Sequence, residues 1–345
     1  MKQLNLTSEI NSLVVGSTFL GTGGGGDPKE SLEMYKIMVK NNKLPKLVAI
    51  DQFKESDLFV TAFAVGSISA KSDPSKPIQK AFKVLSKQLN GQIKAIIPVE
   101  IGPKSVAMAF YLASILDLPV LDADIVGGRS TPEVFLETIT LFNIPRTPLV
   151  VANDKLETST LINSVSFEKE EQFLRSFAAK SGNLAYVVGY PMSKQIIEKS
   201  IETETISEAI TIGESLSDNK LNSLKKNFKT KKLFEGKIEK IITEDDKGFS
   251  KKWLTISNGK NQAKIFIKNE NLILWIDDKV ALTCPDLIIL LDQKNQPIYN
   301  LNLINGLKVK VIGMKSRNLW RSKDGLKLFS PKVFGFGFET VLLKT

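Results

Sequence analysis

Two acidic strand ends carry most of the chemistry open to this chain. Glu100 closes the segment Ile97-Pro98-Val99. Asp122 and Asp124 close Pro119-Val120-Leu121, followed by Gly127-Gly128-Arg129 and then Pro132-Glu133. In open parallel sheets, ligands bind beyond the carboxyl ends of the strands, so these acids are placed where a site would form. Carboxylates held close together push their pKa values apart or share a cation. The chain contains no histidine. That excludes a Ser-His-Asp triad, a Cys-His pair, a histidine zinc site and a histidine general base. Carboxylates, Lys, Tyr, hydroxyls, backbone amides, one cysteine or a bound metal remain. An all-oxygen site made from Glu100, Asp122 and Asp124 would suit Mg²⁺, Mn²⁺ or Ca²⁺ better than Zn²⁺. A purely structural alternative stands beside this: Asp122 caps a turn, Asp124 pairs with Arg129, and Glu133 sits near a helix N-terminus.

The second unusual segment is Gly21-Thr22-Gly23-Gly24-Gly25-Gly26-Asp27-Pro28. It formally satisfies G-x-G-x-x-G. A dinucleotide fingerprint must follow a strand, however, and this run follows a helical pattern. Glycines at 23, 24, 25 and 26 leave backbone N–H groups uncovered and permit positive φ. Asp27 is a good N-cap and Pro28 a good first helical residue, so the loop opens onto a helix N-terminus that favours negative charge. The loop suits a carboxylate or imide oxygen of a ligand, or else a close helix–helix connection.

These segments need elements to hold them. Ile10, Leu13, Val14 and Ser17 put one face on a helix over Thr7–Leu20. Strands are expected at 46–50, 58–65, 95–99, 119–122 and 148–151. Helices are expected from Pro28, over 77–89, 103–116 and 132–142, and again over 168–179 and 193–216 around a strand at 184–189. Continuous apolar strands alternating with helices predict a three-layer α/β domain with a largely parallel sheet. Residues 218–232 turn to Asn, Ser and Lys and read as a connection. Beyond them, short apolar runs recur about every ten residues, from 238–243 to 333–343, with Gly, Asn and Asp between them. That is the pattern of a β-rich barrel or sandwich. The division expected is 1–216 and 217–345.

The chain has 345 residues and a net charge of +10. The composition argues against nucleic acid as a partner. Only Arg129, Arg146, Arg175, Arg317 and Arg321 are arginines among 47 basic residues, whereas base and phosphate recognition favours the arginine fork. The first residues lack a secretory h-region, and no run approaches the ~18 apolar residues of a membrane span. A single cysteine, Cys284, forms no internal disulfide, which fits a reducing cytoplasm. Cys284 ends an apolar strand with no histidine to activate it and reads as a buried structural residue. Asn269, Glu270 and Asn271 either face the cleft from the second domain or form a hairpin turn. Trp320-Arg321 reads as a packing and surface pair. Lys220, Lys225, Lys226, Lys229, Lys231 and Lys232 read as a solvated connection.

The oligoglycine loop, Pro98-Val99-Glu100-Ile101-Gly102, and Asp122-Ala123-Asp124 with Gly127-Gly128-Arg129 together resemble the S-methyl-thiohydantoin desulfurase-like family. Asn269-Glu270-Asn271, Pro285-Asp286, Leu319-Trp320-Arg321 and Phe334-Gly335-Phe336 extend the resemblance to the C-terminal half. The chain departs from the family pattern at Ser69-Ala70-Lys71, where an acid precedes the base in the family, and at Pro103-Lys104. The resemblance implies an α/β domain followed by a β-barrel-like one. It also implies hydrolytic loss of a methylthio group from a hydantoin-like ring. In that setting Glu100, Asp122 and Asp124 are the catalytic candidates. The glycine loop, Asp27, Gly127, Gly128, Arg129, Glu133, Asn269 and Glu270 are the candidates for holding substrate. Expected partners are a small cyclic amide or thiohydantoin, a hydantoinase- or oxoprolinase-type subunit, and a second copy of the chain. A non-catalytic, ligand-binding subunit is the alternative.

Overall fold

The computed structural model describes residues 8–66, 72–217, 221–246 and 249–344. Thr7 at the expected helix start, the Ser69-Ala70-Lys71 departure, and Asp218 to Lys220 of the expected connection lie outside the described residues.

The first sheet has seven strands in the order Leu47–Val48, Val120–Leu121, Ile93–Ile96, Leu58–Gly66, Leu184–Ser193, Leu149–Ala152 and Thr158–Leu161. The first four run parallel to one another. From Leu58–Gly66 onward each neighbour is antiparallel. The strand at 184–193 returns against 58–66 and ends the parallel set.

Strand alternation sends Val60 and Ala62 to one face, Phe59 and Phe63 to the other. The first face packs under the helices Ser8–Leu20, Pro28–Lys40 and Pro103–Leu116. The second packs under Phe167–Lys180. Helices therefore cover both faces, in the expected three-layer α/β arrangement. Helix Ser8–Leu20 is buried by crossing Thr205–Ser217 at very short range. A Cβ on Gly16 would stand 1.7 Å from the Ala209 carbonyl oxygen, and one on Gly213 would stand 1.9 Å from that of Ser12. Only glycine permits this approach, so the helix preceding the oligoglycine loop is fixed in place.

The second sheet is antiparallel throughout. Its order is Lys279–Thr283, Glu270–Ile276, Gln262–Lys268, Phe249–Ser257, Lys231–Asp246, Lys308–Met314 and Leu287–Leu291. The long strand 231–246 is shared between two partners and is bulged between Lys232 and Phe234 and between Ile238 and Lys240. Such bulges bend and twist a sheet. The sheet curls into a half-barrel around Ile256, Ile265, Leu274, Leu290 and Val311. Asn271 bridges its two ends by donating to the Ile288 carbonyl at 2.9 Å.

Several expected elements differ. The helix expected over 132–142 is reduced to Thr138–Leu141. Residues 131–137 instead run as a loop, because Phe135 and Leu136 pack with Trp320 and Phe329 and the Thr138 amide bonds to Ile125 O. The helix expected over 193–216 is split into Lys194–Ile197 and Thr205–Ser217, with the short strand Glu202–Thr203 pairing Ala123–Asp124 between them. Within 218–232 the structure forms a helix, Leu221–Phe228. Residues 333–343 form no strand. They lie against the Trp253, Phe266 and Trp275 rings through Phe336 and Phe338. Among the described residues no helix is long and apolar enough to cross a membrane.

Candidate functional site

A cavity of about 170 Å³ lies where the glycine loop, the end of strand 93–96 and the second sheet meet. An apolar protein cavity of about 150 Å³ accepts benzene, so this one is sized for a single small ring. Gly24, Gly25, Gly26 and Asp27 form part of its wall, as do Glu100, Glu133, Asn269 and Glu270.

The loop is built for close approach. Gly24 keeps an ordinary φ, but a Cβ there would fall 1.9 Å from Glu270 Oε1. The absent side chain is the space that Glu270 occupies. The Gly25 amide donates to the Glu270 carboxylate, and the Gly25 carbonyl accepts from the Lys104 amide at 2.9 Å. Asp27 caps helix Pro28–Lys40, its Oδ1 accepting from the Lys29 amide at 2.8 Å. Helix Pro103–Leu116 begins at the same place, with Gly102 as its N-cap. Its Lys104 pairs with Glu30 at 2.6 Å, a contact between residues 74 apart that ties the two helix starts together.

Glu100 and Glu270 form the acidic centre. Glu100 Oε1 accepts from Ser105 Oγ at 2.7 Å and Oε2 from the Thr131 amide at 3.0 Å. Burial raises its pKa, while these hydrogen bonds and the charge of Arg129 pull it back. Glu270 is buried, and its Oε2 has no partner. Burial lifts its pKa well above the ordinary carboxyl value, and the neighbouring Glu100 charge lifts it further. Of the two, Glu270 is the carboxyl pushed further toward its protonated form, because Glu100 has compensating side-chain hydrogen bonds and Glu270 does not. Arg129 stands behind the pair, fully buried. Its Nε donates to Ser130 O at 3.0 Å and its Nη1 to Pro285 O, while its guanidinium lies 4.7 Å from the centre of the Phe329 ring. Burial lowers its pKa to about 10, which leaves it charged at neutral pH.

Asn269 has φ +59 and makes the corner between strands 262–268 and 270–276. The corner is what aims Glu270, the next residue, into the cavity, so turn and cleft roles coincide here. Glu133 contacts Lys268 Nζ from across the cavity wall.

The other sequence candidates are placed elsewhere. Asp122 caps helix Thr205–Ser217: Oδ1 accepts from the amides of Ile206 (3.0 Å) and Ser207 (3.1 Å), and Oδ2 from Ser207 Oγ (2.6 Å). Asp124 is buried and accepts from the amides of Val126, Gly127 and Gly128 at 2.9, 2.8 and 2.8 Å. It does not pair with Arg129. Gly127 and Gly128 take positive φ to present those amides, so they face Asp124 and not the cavity. Gly23 packs on Asn300, its carbonyl accepting from the Asn300 amide at 2.9 Å. The structure thus does not bring Asp122 and Asp124 to Glu100. Among the described residues no group of three or more acidic or cysteine side chains could hold a metal ion. Cys284 is buried, and burial pushes its thiol up to about 12. Trp320 is buried and donates to Val126 O, and Arg321 pairs with Asp286 at 2.7 Å, so both serve packing.

Among the wall residues that sequence reasoning missed, three carry polar groups of note. Glu137 is buried against Arg146, whose Nε donates to its Oε2 at 2.5 Å, while Oε1 has no partner. Burial pushes Glu137 up to about 7 against the opposing Arg146 charge. Tyr299 is buried and its hydroxyl has no partner. Lys104, noted only as a departure from a motif, is the third. No local pattern marks Glu137 or Tyr299. Each becomes part of the site only through tertiary packing.

An α/β domain and a curled antiparallel sheet that close on one ring-sized, acid-lined cavity define a two-domain protein with its candidate site between the sheets. The chain belongs to the S-Me-THD-like family: the model of the family's N-terminal domain matches residues 8–163 and that of its C-terminal domain matches 166–343. The second match begins ahead of Leu184–Ser193, which is a central strand of the first sheet. The fold is similar to the crystal structure of a protein from Chromobacterium violaceum, a structural-genomics target, at 19% identity, a TM-score of 0.86 and full coverage of both chains. No curated protein matches the chain.

Proposed function

We propose that the chain is a hydrolase that acts at an amidine-like carbon of a hydantoin-sized ring, as in S-methyl thiohydantoin. The observation that carries this reading is the Glu100–Glu270 pair facing a cavity large enough for one small ring. Membership of the S-Me-THD-like family agrees with it.

The chemistry follows from the unequal carboxyls. Ionised Glu100, steadied by Ser105 and Thr131, takes a proton from water as that water attacks C2. Protonated Glu270 gives its proton to the ring nitrogen double-bonded to C2. The tetrahedral adduct then expels methanethiolate, which takes the proton held by Glu100, while the C2 hydroxyl returns its remaining proton to Glu270. The C–S bond breaks and a C=O bond forms, so ring and water become a hydantoin and methanethiol with no other reactant. Gly26 and the helix start at Pro28 offer partial positive charge to oxygen that develops negative charge.

The test is methanethiol release from S-methyl thiohydantoin, followed with a thiol reagent. The wild type should turn over, and E100Q and E270Q should each lose about 10²- to 10⁴-fold. A wild type that binds the ring without releasing thiol would instead fit a ligand-binding subunit.

A further inference from the structure

The glycine loop is joined to the corner that carries Glu270 through one buried residue that does not itself line the cavity. Asn300 opens the short 3₁₀ turn Asn300–Asn302 and is 1% exposed. Its amide donates to the Gly23 carbonyl at 2.9 Å. Its Nδ2 donates to the Asn269 carbonyl at 2.8 Å and to Asn271 Oδ1 at 3.1 Å. Its own carbonyl accepts from Nζ of the buried Lys252 at 2.9 Å. One residue therefore ties together the loop at Gly23, the residues on either side of Glu270, and strand Phe249–Ser257.

The contacts around Asn300 are tight. Gly23 has φ +89, and a Cβ there would lie 2.3 Å from Asn300 Oδ1, so the loop backbone presses directly on this side chain. The Asn271 amide donates to the Thr22 carbonyl at 2.9 Å, and Asn271 Nδ2 donates to the Ile288 carbonyl at 2.9 Å. Lys268 and Glu270 are register partners, so Asn269 alone makes the corner between them. Holding Asn269 and Asn271 together aims the residue between them over Gly24 and against the Gly25 amide. A side-chain amide suits this task. Its NH₂ serves two acceptors at once, whereas a serine hydroxyl has one donor and an ionised aspartate none.

We infer that Asn300 is a positioning residue for Glu270: it pins the 269–271 corner to the glycine loop and so keeps that carboxyl beside Glu100 and Arg129. Asn300 moves no proton. The inference rests on the hydrolase reading only for its kinetic consequence. An Asn300 that did no more than satisfy buried carbonyls would add the same stability at every pH and leave Glu270 where it is.

The experiment is a set of urea melts of the full chain at pH 4 and pH 8 for wild type, E270Q, N300A and the N300A/E270Q double variant. Burial and the Glu100 charge oppose ionisation of Glu270, and Arg129 offsets them only in part. E270Q should therefore raise the urea midpoint at pH 8 and leave it unchanged at pH 4. N300A keeps the backbone bonds of residue 300 and removes only those to Asn269 and Asn271. The freed corner lets Glu270 turn to water, so the gain from E270Q at pH 8 should fall to about half or less in the N300A background. In parallel, N300A should lower kcat for thiol release from S-methyl thiohydantoin about 10- to 100-fold. The alkaline limb of the rate, set by loss of the Glu270 proton, should move about one pH unit lower. N300S, which also cannot reach both acceptors, should show the same signs and decides if N300A fails to fold. An undiminished gain from E270Q in these backgrounds overturns the inference, and so does absence of that gain in the wild-type background. A gain that collapses in N300A without thiol release from any variant would keep this inference and sink the hydrolase reading. Thiol release with an undiminished gain would do the opposite.

Discussion

Replacing Gly24 with alanine moves Glu270 without touching its chemistry. Gly24 has an ordinary φ, so alanine brings no backbone strain, and the whole effect is steric. The new Cβ would lie 1.9 Å from Glu270 Oε1 and 2.5 Å from its Cδ, against an ordinary contact of 3.4 Å or more. The carboxyl must retreat by over an ångström. Its backbone is fixed at the tight corner at Asn269, so the side chain must change rotamer and carry the carboxyl away from its place beside Glu100 and Arg129. Overpacking of this kind costs about 1–3 kcal/mol of stability. A misplacement of about 1 Å at a reacting group costs on the order of 10²-fold in rate. G24A should therefore melt a few degrees lower and lose about a hundredfold in thiol release from S-methyl thiohydantoin at saturating substrate. The assay is steady-state thiol release beside a thermal melt monitored by circular dichroism. Wild-type turnover in a folded G24A protein would refute the claim that Glu270 must sit over Gly24.

Asp122 and Asp124 should behave as structural residues. D122A removes the cap of helix 205–217 and should cost about 1–2 kcal/mol in denaturant melts. D124N should cost about as much or more, because the amide offers an NH₂ to backbone donors, and turnover per folded molecule should survive in both. C284A should keep full turnover, since a buried thiol titrating near 12 supplies no thiolate at neutral pH. Glu270 makes the stability of the protein pH-dependent. Its folded pKa lies above the ordinary 4.5, so the folded state keeps its proton where the unfolded chain has lost it. That makes the carboxyl neutral to stability below about pH 4.5 and increasingly unfavourable as pH rises toward the folded value. E270Q should match the wild type in stability at pH 4 and exceed it at pH 8, while losing turnover. Urea melts at the two pH values would show the sign.

The α/β and β-rich halves were legible because their apolar periods differ, as in Phe59, Val60, Ala62 and Phe63 against the short runs after Lys231. The glycine loop and Glu100 could be singled out because five glycines in six positions, and an acid closing an apolar strand, are locally unusual. Glu270 could be reached only as one of two readings of Asn269-Glu270-Asn271, since nothing local says which way a turn residue points. The Asp122-Ala123-Asp124 pattern looked like a carboxylate cluster. Asp124 followed by Gly127-Gly128 also carries the signature of an acid that caps its own loop, which is the arrangement present. Residues 131–137 were legible as helix because Pro132-Glu133 opens one well. The competing pull is tertiary, from Trp320 and Phe329, nearly two hundred residues away. Glu137 and Tyr299 were illegible for the same reason.

The most direct measurement is a crystal structure of the chain grown with saturating hydantoin. The ring should lie between the Gly24–Gly26 backbone and the Glu100 and Glu270 carboxyls, with a nitrogen within hydrogen-bond distance of Glu270 Oε2. A ring bound elsewhere, or this cavity left without it, would contradict the account.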